Sequence, residues 1–232
     1  MLTEQHIAEI EAIIGLAFND KNLLKQVFIH RSYLNENPGC ELGHNERLEF
    51  LGDAVLELVV TEFLYRRFPN PEGELTNWRS ALVRGQHLAE ISGELQLGDY
   101  LLLSRGEAKS GGKTRQILLA NMFEALLGAI YMDAGLEPAR AFIEKHVTGR
   151  LEDILERELH IDPKSKLQEI TQARVGITPH YEVLREEGPD HAKEFTVGVF
   201  LATRKLAEAK GASKQSAEQA AASVAIKQFS QE

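Results

Sequence analysis

The chain has 232 residues, of which 43% are hydrophobic and 26% charged, with a single cysteine, Cys40. This length allows one or two domains with a substantial core. No apolar run approaches the roughly 18–20 residues needed to cross a bilayer, and the acidic start does not resemble a secretory signal. One cysteine excludes an intramolecular disulfide and fits a reducing compartment. We therefore expect a cytoplasmic protein without membrane spans.

The charge is unevenly distributed along the chain. The net charge of −9 argues against a simple nucleic-acid coat protein. Residues 160–232 carry 10 basic and 10 acidic side chains, which leaves 16 basic and 25 acidic side chains in residues 1–159. All the excess acid thus lies in the first part, as expected for an acidic divalent-metal site followed by a neutral domain.

Residues 1–159 show helical periodicity and no β-strand signal, so we expect an all-α first domain. The segments predicted to be helical are Leu2–Leu16, Lys21–Phe28, Asn45 to about Arg67, Glu74–Val83, Gly85–Glu94, Gln116–Met132 and Glu137–Leu159. Asn35–His44 and the Gly-rich, basic Ser104–Arg115 are predicted to be loops. A mobile surface loop and a substrate-contacting loop explain Ser104–Arg115 equally well.

After a predicted linker at 160–163, the pattern changes to that of an α+β domain over 164–232. A short helix is predicted at Lys164–Arg174, and a final Ala-rich helix at Ser213–Phe229, which Ser213 could cap. Between them, alternation and β-branched or aromatic content predict strands at Tyr181–Arg185, Glu194–Thr203 and Lys205–Ala209. The order is α-β-β-β-α.

The helix from Asn45 to Arg67 carries Glu46, Glu49 and Asp53 at i, i+3 and i+7, within about 60° of one another. The residues predicted to face a core from its other side are Leu48, Leu51, Val55, Leu58 and Val59. A solvated acidic face would explain this pattern as well. Gly52 leaves room either for ordinary packing or for a close approach of a helix or ligand.

The segment Gln116–Met132 is apolar almost all round, yet it carries Asn121 and Glu124 one turn apart. A buried carboxylate costs several kcal/mol unless it is paired or ligates a metal. Two carboxylate-bearing helices brought together would make an all-oxygen site for a hard cation such as Mg²⁺.

Several motifs of the sequence resemble those of a known family. The run HNERLEFLGD at His44–Asp53 resembles the signature of ribonuclease III, and the last 70 residues resemble a double-stranded-RNA-binding domain. Further segments that fall where these families have them are His30–Ser32, Gly111-Gly112, Phe123–Ala125, Gly211–Lys214 and Ala217–Ala221. The resemblance covers essentially the full length, in the arrangement of the simple bacterial enzymes.

The resemblance implies a homodimeric, Mg²⁺-dependent endonuclease (Mn²⁺ able to substitute) that hydrolyses both strands of RNA duplexes during ribosomal and messenger RNA processing. No small-molecule cofactor is expected. Glu49, Asp53, Asn121 and Glu124 would hold the metal, with Asp53 and Glu124 most directly catalytic. In a two-metal arrangement, one ion activates the attacking water and the other stabilises the leaving oxygen. Glu46 would support the site or the dimer contact. Apolar residues beyond the needs of one core, such as Phe50, Leu51 and Leu58, favour a dimer.

Asn121 departs from the family pattern, which has Asp at this position. The amide keeps one neutral oxygen ligand but removes a negative charge, so weaker metal affinity and slower hydrolysis are expected. Two other interpretations remain open: a catalytically silent duplex-binding protein, and an unrelated all-α metal phosphohydrolase of small phosphates. Mg²⁺-dependent cleavage of RNA would distinguish a nuclease from a silent duplex-binding protein. Full activity of a chain that lacks residues 160–232 would indicate the small-phosphate phosphohydrolase.

For the second domain, the resemblance suggests how an RNA duplex would be contacted. Duplex RNA is recognised by shape, through 2′-hydroxyls and phosphates. Candidate contacts are four polar residues on one helix face, a loop histidine and a helix N-terminus suited to phosphate, namely Ser165, Gln168, Glu169, Gln172, His191, Ser213 and Lys214. A solvated polar face would explain the first four equally well.

Overall fold

The computed structural model describes residues 1–189 and 193–229 and divides the chain into two compact units, Met1–His160 and Ile161–Glu232. The predicted all-α first domain is confirmed, and its only β feature is an isolated bridge between Ile29 and Leu102. Its helices are α1 (Glu4–Ile14), α2 (Lys21–Val27), α3 (Arg31–Glu36), α4 (Glu46–Arg67), α5 (Glu72–Val83), α6 (Gly85–Glu94), α7 (Arg105–Lys109), α8 (Gln116–Ala134), α9 (Leu136–His146) and α10 (Leu151–Glu156).

Helices α4 and α8 form the centre of the first unit and cross at two glycines. A Cβ atom on Gly52 would lie 1.7 Å from the carbonyl oxygen of Glu124, and one on Gly128 would lie 2.2 Å from the carbonyl oxygen of Leu48. No side chain fits between the two backbones there. Gly52 therefore allows a helix, rather than a ligand, to approach α4 closely.

Helix α8 is the core helix of this unit, as its composition predicted. Every residue from Ala125 to Ile130 is buried, as are Met122 and Phe123. Its 19 residues are also long and apolar enough to cross a membrane by length and composition alone. The expectation that no segment approaches this length was therefore wrong. The physical reason is that a helix surrounded by core on most sides has a composition similar to that of a membrane-spanning helix.

Leu58 does not face the core as predicted. Its side chain is 56% exposed, whereas Leu48, Val55 and Val59 are buried and Leu51 is half-buried. Successive residues turn by about 100° on a helix, which puts Leu58 on the same outer face as Phe50 and Tyr65 rather than with the buried residues. Periodicity alone could not show whether Leu58 lies on the buried or the exposed face of α4.

Two predicted segments of the first unit have a different structure. The single helix predicted at Glu137–Leu159 is broken between α9 and α10 by a 3₁₀ turn at Thr148–Arg150. Gly149 weakens the helix there, while Arg150 forms an ion pair with Glu94 on α6. The loop predicted at Ser104–Arg115 contains α7, whose N-terminus is capped by the Ser104 hydroxyl, and a 3₁₀ turn at Gly112–Thr114.

The second unit has the predicted α-β-β-β-α order. Its elements are α11 (Pro163–Val175), β1 (His180–Glu187), β2 (Glu194–Leu201), β3 (Arg204–Gly211) and α12 (Lys214–Phe229). The strands form one antiparallel sheet in the order β1-β2-β3. Strand β2 ends before the predicted Thr203, because Ala202 adopts a positive φ of 51° in the turn. The predicted capping of α12 is confirmed, since Ser213 Oγ accepts the Ser216 amide at 3.1 Å.

The crossing of α4 and α8 makes Gly52 intolerant of any side chain. We expect Gly52→Ala to lower the free energy of unfolding by about 3 kcal/mol or more, because the new methyl group meets backbone atoms that cannot move aside. The matched control is Gly93→Ala in α6, where a Cβ meets nothing within 4 Å and should stabilise the helix by about 0.5–1 kcal/mol. Urea unfolding of both variants measures the difference; equal midpoints would contradict the prediction.

Candidate active site

The start of α4 is fixed by a buried asparagine. Asn45 donates its backbone N–H to the carbonyl oxygen of Ile29 at 2.9 Å and its side-chain amide to that of Val27 at 3.0 Å. Glu46 and Glu49 follow in the first turn, where the helix dipole favours negative charge. The segment before α3 thus sets where the acidic face of α4 begins.

The contact between Gly52 and the backbone of Glu124 brings acidic residues of two helices together. Asp53, which follows Gly52, is exposed, whereas Glu49 and Glu124 are half-buried. The charges of both Asp53 and Glu49 act on the Glu124 carboxyl. Three of the four carboxylates that the sequence singled out, Glu49, Asp53 and Glu124, thus lie close enough for their charges to interact across the two helices.

The protonation of these groups reflects their crowding. Burial, followed by the charges of Asp53 and Glu49, raises the pKa of the Glu124 carboxyl to about 7. Burial and then the charge of Glu46 raise the pKa of Glu49 as well. A group with a pKa near 7 in an acidic cluster is typical of functional sites.

Asn121 lies on α8, one turn before Glu124, and contacts the same cluster. Its side chain forms a hydrogen bond with Glu49 that favours the ionised carboxylate and so opposes the rise in the pKa of Glu49. Because an ionised carboxylate only accepts hydrogen bonds, the amide of Asn121 is the donor. The amide oxygen remains able to accept a bond or to ligate a cation.

The residues at this site have the right chemistry for a hard divalent cation. All four side chains offer oxygen atoms, and three of them are carboxylates whose charges act on one another. Within residues 1–189 and 193–229, however, no three His, Cys, Asp or Glu side chains converge closely enough to form a ready metal site.

Glu46 points to a neighbouring group of basic side chains. Its carboxylate lies 3.8 Å from Arg31 and 3.7 Å from the imidazole of His44. It is exposed and influences Glu49 only through its charge. Neither Arg31 nor His44 was predicted to be a site residue, although both lie in motifs that carry the family resemblance.

In the second unit, the four polar residues predicted to share one face of α11 do so. Ser165, Gln168, Glu169 and Gln172 are all exposed. Ser213 and Lys214 are exposed at the start of α12, where Lys214 Nζ lies 3.1 Å from Glu186. The remaining candidate, His191, lies outside the described residues.

Comparison with known proteins finds relatives for both units. Residues 20–151 match the family profile "Ribonuclease-III-like", and residues 163–229 match "Double-stranded RNA binding motif". The chain is 48% identical to "Ribonuclease 3" of Chloroflexus aurantiacus over 95% of this chain and 90% of the relative. It is 42% identical to "Ribonuclease 3" of Enterococcus faecalis over 99% of this chain and 100% of the relative.

A solved structure resembles the first unit. It is the nuclease domain of ribonuclease III from Campylobacter jejuni, which is described as flexible in a "region involved in dimer formation". The match has a TM-score of 0.57 and 40% identity, covering 62% of this chain and 96% of that domain.

The raised pKa of Glu124 can be measured directly. In metal-free protein the Glu124 carboxyl should titrate near pH 7, and Asp53→Asn should lower that pKa without returning it to 4.5, because burial is the largest cause. Carbon-13 NMR of labelled glutamate in EDTA gives the value, with Asp99→Asn as a control outside the cluster. Titration of Glu124 near pH 4.5 in the unsubstituted chain would contradict the expectation.

Proposed function

Since the chain belongs to the ribonuclease III family and is a divalent-metal-dependent endoribonuclease of double-stranded RNA, we propose that Glu49, Asp53, Asn121 and Glu124 bind Mg²⁺ for this reaction. The observation that supports this assignment most strongly is the half-buried Glu124 carboxyl, which experiences the charges of Asp53 and Glu49. A bound cation would offset this repulsion. Mn²⁺, which also accepts carboxylate oxygens, should substitute for Mg²⁺.

The proposed roles follow from where the side chains lie. Mg²⁺ bound here would lower the pKa of an attacking water and neutralise charge on the phosphate. Glu124, with a pKa of about 7, is roughly half protonated at neutral pH in metal-free protein and must lose that proton to act as a ligand. The exposed Asp53 can reach both solvent and a docked phosphodiester. Glu46 supports the site by holding Arg31 and His44 beside it.

The second unit is proposed to hold the RNA duplex. The exposed face of α11 formed by Ser165, Gln168, Glu169 and Gln172 would contact 2′-hydroxyls, and Ser213 with Lys214 would contact a phosphate. His191 is retained as a proposed contact on the sequence resemblance alone. Such contacts read shape, so binding should depend little on sequence. Cytoplasmic processing of ribosomal and messenger RNA precursors fits this substrate.

We further propose a homodimer formed through the outer face of α4. This face carries an exposed apolar stripe, in which Phe50 is 80%, Leu58 56% and Tyr65 79% exposed. Beside Tyr65 lies a groove of about 620 Å³ between α4 and α5, lined by Leu64, Phe68 and Leu75 among others. Leu58 is the midpoint of the stripe. Two antiparallel copies of α4 would therefore place Phe50 of each copy at the groove of the other, as a two-fold interface requires.

Cleavage of a long RNA duplex tests the catalytic assignment. In limiting Mg²⁺ we expect Asn121→Asp to increase the rate about tenfold, because it restores a charged ligand. Glu124→Gln should reduce the rate about a thousandfold or more, since it removes several kcal/mol of transition-state stabilisation.

Glu152→Gln, an exposed residue of α10, is the matched control and should cleave normally. If neither this chain nor Asn121→Asp cleaves while both bind duplex, the protein is a silent duplex-binding protein and the assignment is wrong.

Substitution of one lysine tests whether the second unit contacts an RNA phosphate. Lys214→Ala should weaken duplex binding about three- to tenfold for every sequence and reduce the slope of log affinity against log salt by about one. Filter binding without divalent metal measures both. Lys227→Ala, at the other end of α12, should change neither, and an equal effect of both substitutions would argue against a phosphate contact at Lys214.

The dimer proposal predicts a change in mass. Phe50→Asp should convert the protein to monomers at micromolar concentration in sedimentation velocity, because a charge would be forced into an apolar groove. Met132→Asp, which alters another exposed apolar residue on α8, should leave the dimer intact. A monomeric starting protein, or a Phe50→Asp variant of unchanged mass, would refute this interface.

A further inference from the structure

The segment 104–115, which we call the basic segment, is attached at its first residues to α3. The Ser104 backbone N–H donates to Ser32 Oγ at 3.0 Å, and the Arg105 N–H donates to the Glu36 carboxylate at 3.1 Å. The Ser104 hydroxyl in turn caps α7 by accepting the Glu107 amide at 3.2 Å. Ser32 and Glu36 therefore fix where the basic segment begins.

Ser32 is itself held by His30, and the donors can be assigned. The Ser32 backbone N–H lies 3.3 Å from His30 Nδ1, and an N–H can only donate, so Nδ1 must be unprotonated. Ser32 Oγ, 2.8 Å from the same atom, therefore donates its proton to Nδ1. The result is a chain of hydrogen bonds from the Ser104 N–H to the Ser32 hydroxyl to a neutral imidazole.

The basic segment carries charges that are available to a polyanion. It contains four basic residues and one acidic residue, Glu107, which pairs with Arg115. Lys113 Nζ donates to the Asp99 carbonyl oxygen at 2.6 Å. For Arg105 and Lys109, no carboxylate lies within ion-pair distance in the described part of the chain.

We propose that His30 and Ser32 are positioning residues, which hold the basic segment in place for RNA through a hydrogen-bond chain that His30 completes only in its neutral form. This inference rests on the proposed function in one respect, namely that the substrate is an RNA duplex, and it adds that Arg105 and Lys109 contact the RNA phosphates. The anchoring itself depends only on the contacts between α3 and the basic segment.

Protonation of His30 disrupts this arrangement. A proton on Nδ1 would face the Ser32 N–H, so the imidazole must turn away and α3 loses its N-cap. The charged groups around the ring are Glu107 and Arg115 of the basic segment, Arg31 of α3 and Glu46 of α4. Burial, the largest influence, lowers the pKa of His30 from the ordinary 6.5. Neutral His30 is therefore present at pH 7 and is lost as the pH falls below 6.5 through the lowered pKa.

The anchor can be measured without RNA or metal. NMR of the ring nitrogens should show Nε2-protonated, neutral His30 at pH 7.5, with a titration midpoint below 6.5. Amide hydrogen exchange at Ser104, corrected for intrinsic rate, should accelerate about three- to tenfold as His30 titrates. Ser32→Ala should show the fast exchange at every pH, and Ser32→Thr should restore slow exchange.

The effect on RNA is measured with His30→Asn, whose side-chain oxygen can accept the Ser32 N–H but does not titrate. Between pH 7.5 and 5.5, the KM for an RNA duplex should rise several-fold more in the unsubstituted chain than in His30→Asn. Ser32→Ala should raise KM several-fold with a smaller change in kcat. His6→Asn is the matched control, because His6 Nδ1 accepts the Thr3 amide in the same way at the start of α1.

Each arm can overturn the proposal separately. Unchanged Ser104 exchange in Ser32→Ala, or a His30 protonated on Nδ1 at pH 7.5, refutes the anchor. If Ser104 exchange behaves as expected but Ser32→Ala leaves the KM for RNA unchanged, the role in RNA positioning is refuted. Absence of any cleavage at pH 7.5 instead refutes the proposed catalytic site, and the exchange data would remain interpretable.

Discussion

The contact on which the site depends is the crossing of α4 and α8 without intervening side chains. Gly52 packs against the backbone of Glu124, and Gly128 against that of Leu48, so the two helices approach more closely than any residue with a Cβ would permit. This closeness puts Glu124 within the field of Asp53 and Glu49. The buried apolar residues of α8 stabilise the crossing, and that packing offsets the repulsion between the carboxylates.

Most of the fold could be predicted because local signals and tertiary structure agree. The acidic face of α4, the buried helix α8 and the α-β-β-β-α order all follow from periodicity that the final packing preserves. The predictions that failed depended on neighbours. Leu58 lies at the edge of an apolar arc, and the break at Thr148–Arg150 accompanies an ion pair with a distant helix. Neither feature can be predicted from a short window of sequence.

The site was predictable in its residue types but not in its electrostatics. Spacing indicated Glu46, Glu49 and Asp53 on one helix and Asn121 and Glu124 on another, and the family resemblance selected all of them but Glu46 as metal ligands. Neither could indicate that Glu124 would have a pKa of about 7, because that value depends on burial and on charges from the other helix. Likewise, the sequence left Ser104–Arg115 as a loop, since its attachment to Ser32 joins residues 72 positions apart.

Asn121 has opposite consequences in the metal-free and metal-bound protein. An aspartate at this position would add a fourth carboxylate next to Glu49 and could not donate the hydrogen bond that the amide provides while both were ionised. The metal-free site is therefore less strained with asparagine, and Glu49 remains ionised more readily. The same substitution withdraws a full charge from the proposed Mg²⁺ site. Stability without metal and affinity for metal thus oppose each other at one residue, as is common where function requires like charges to be held together.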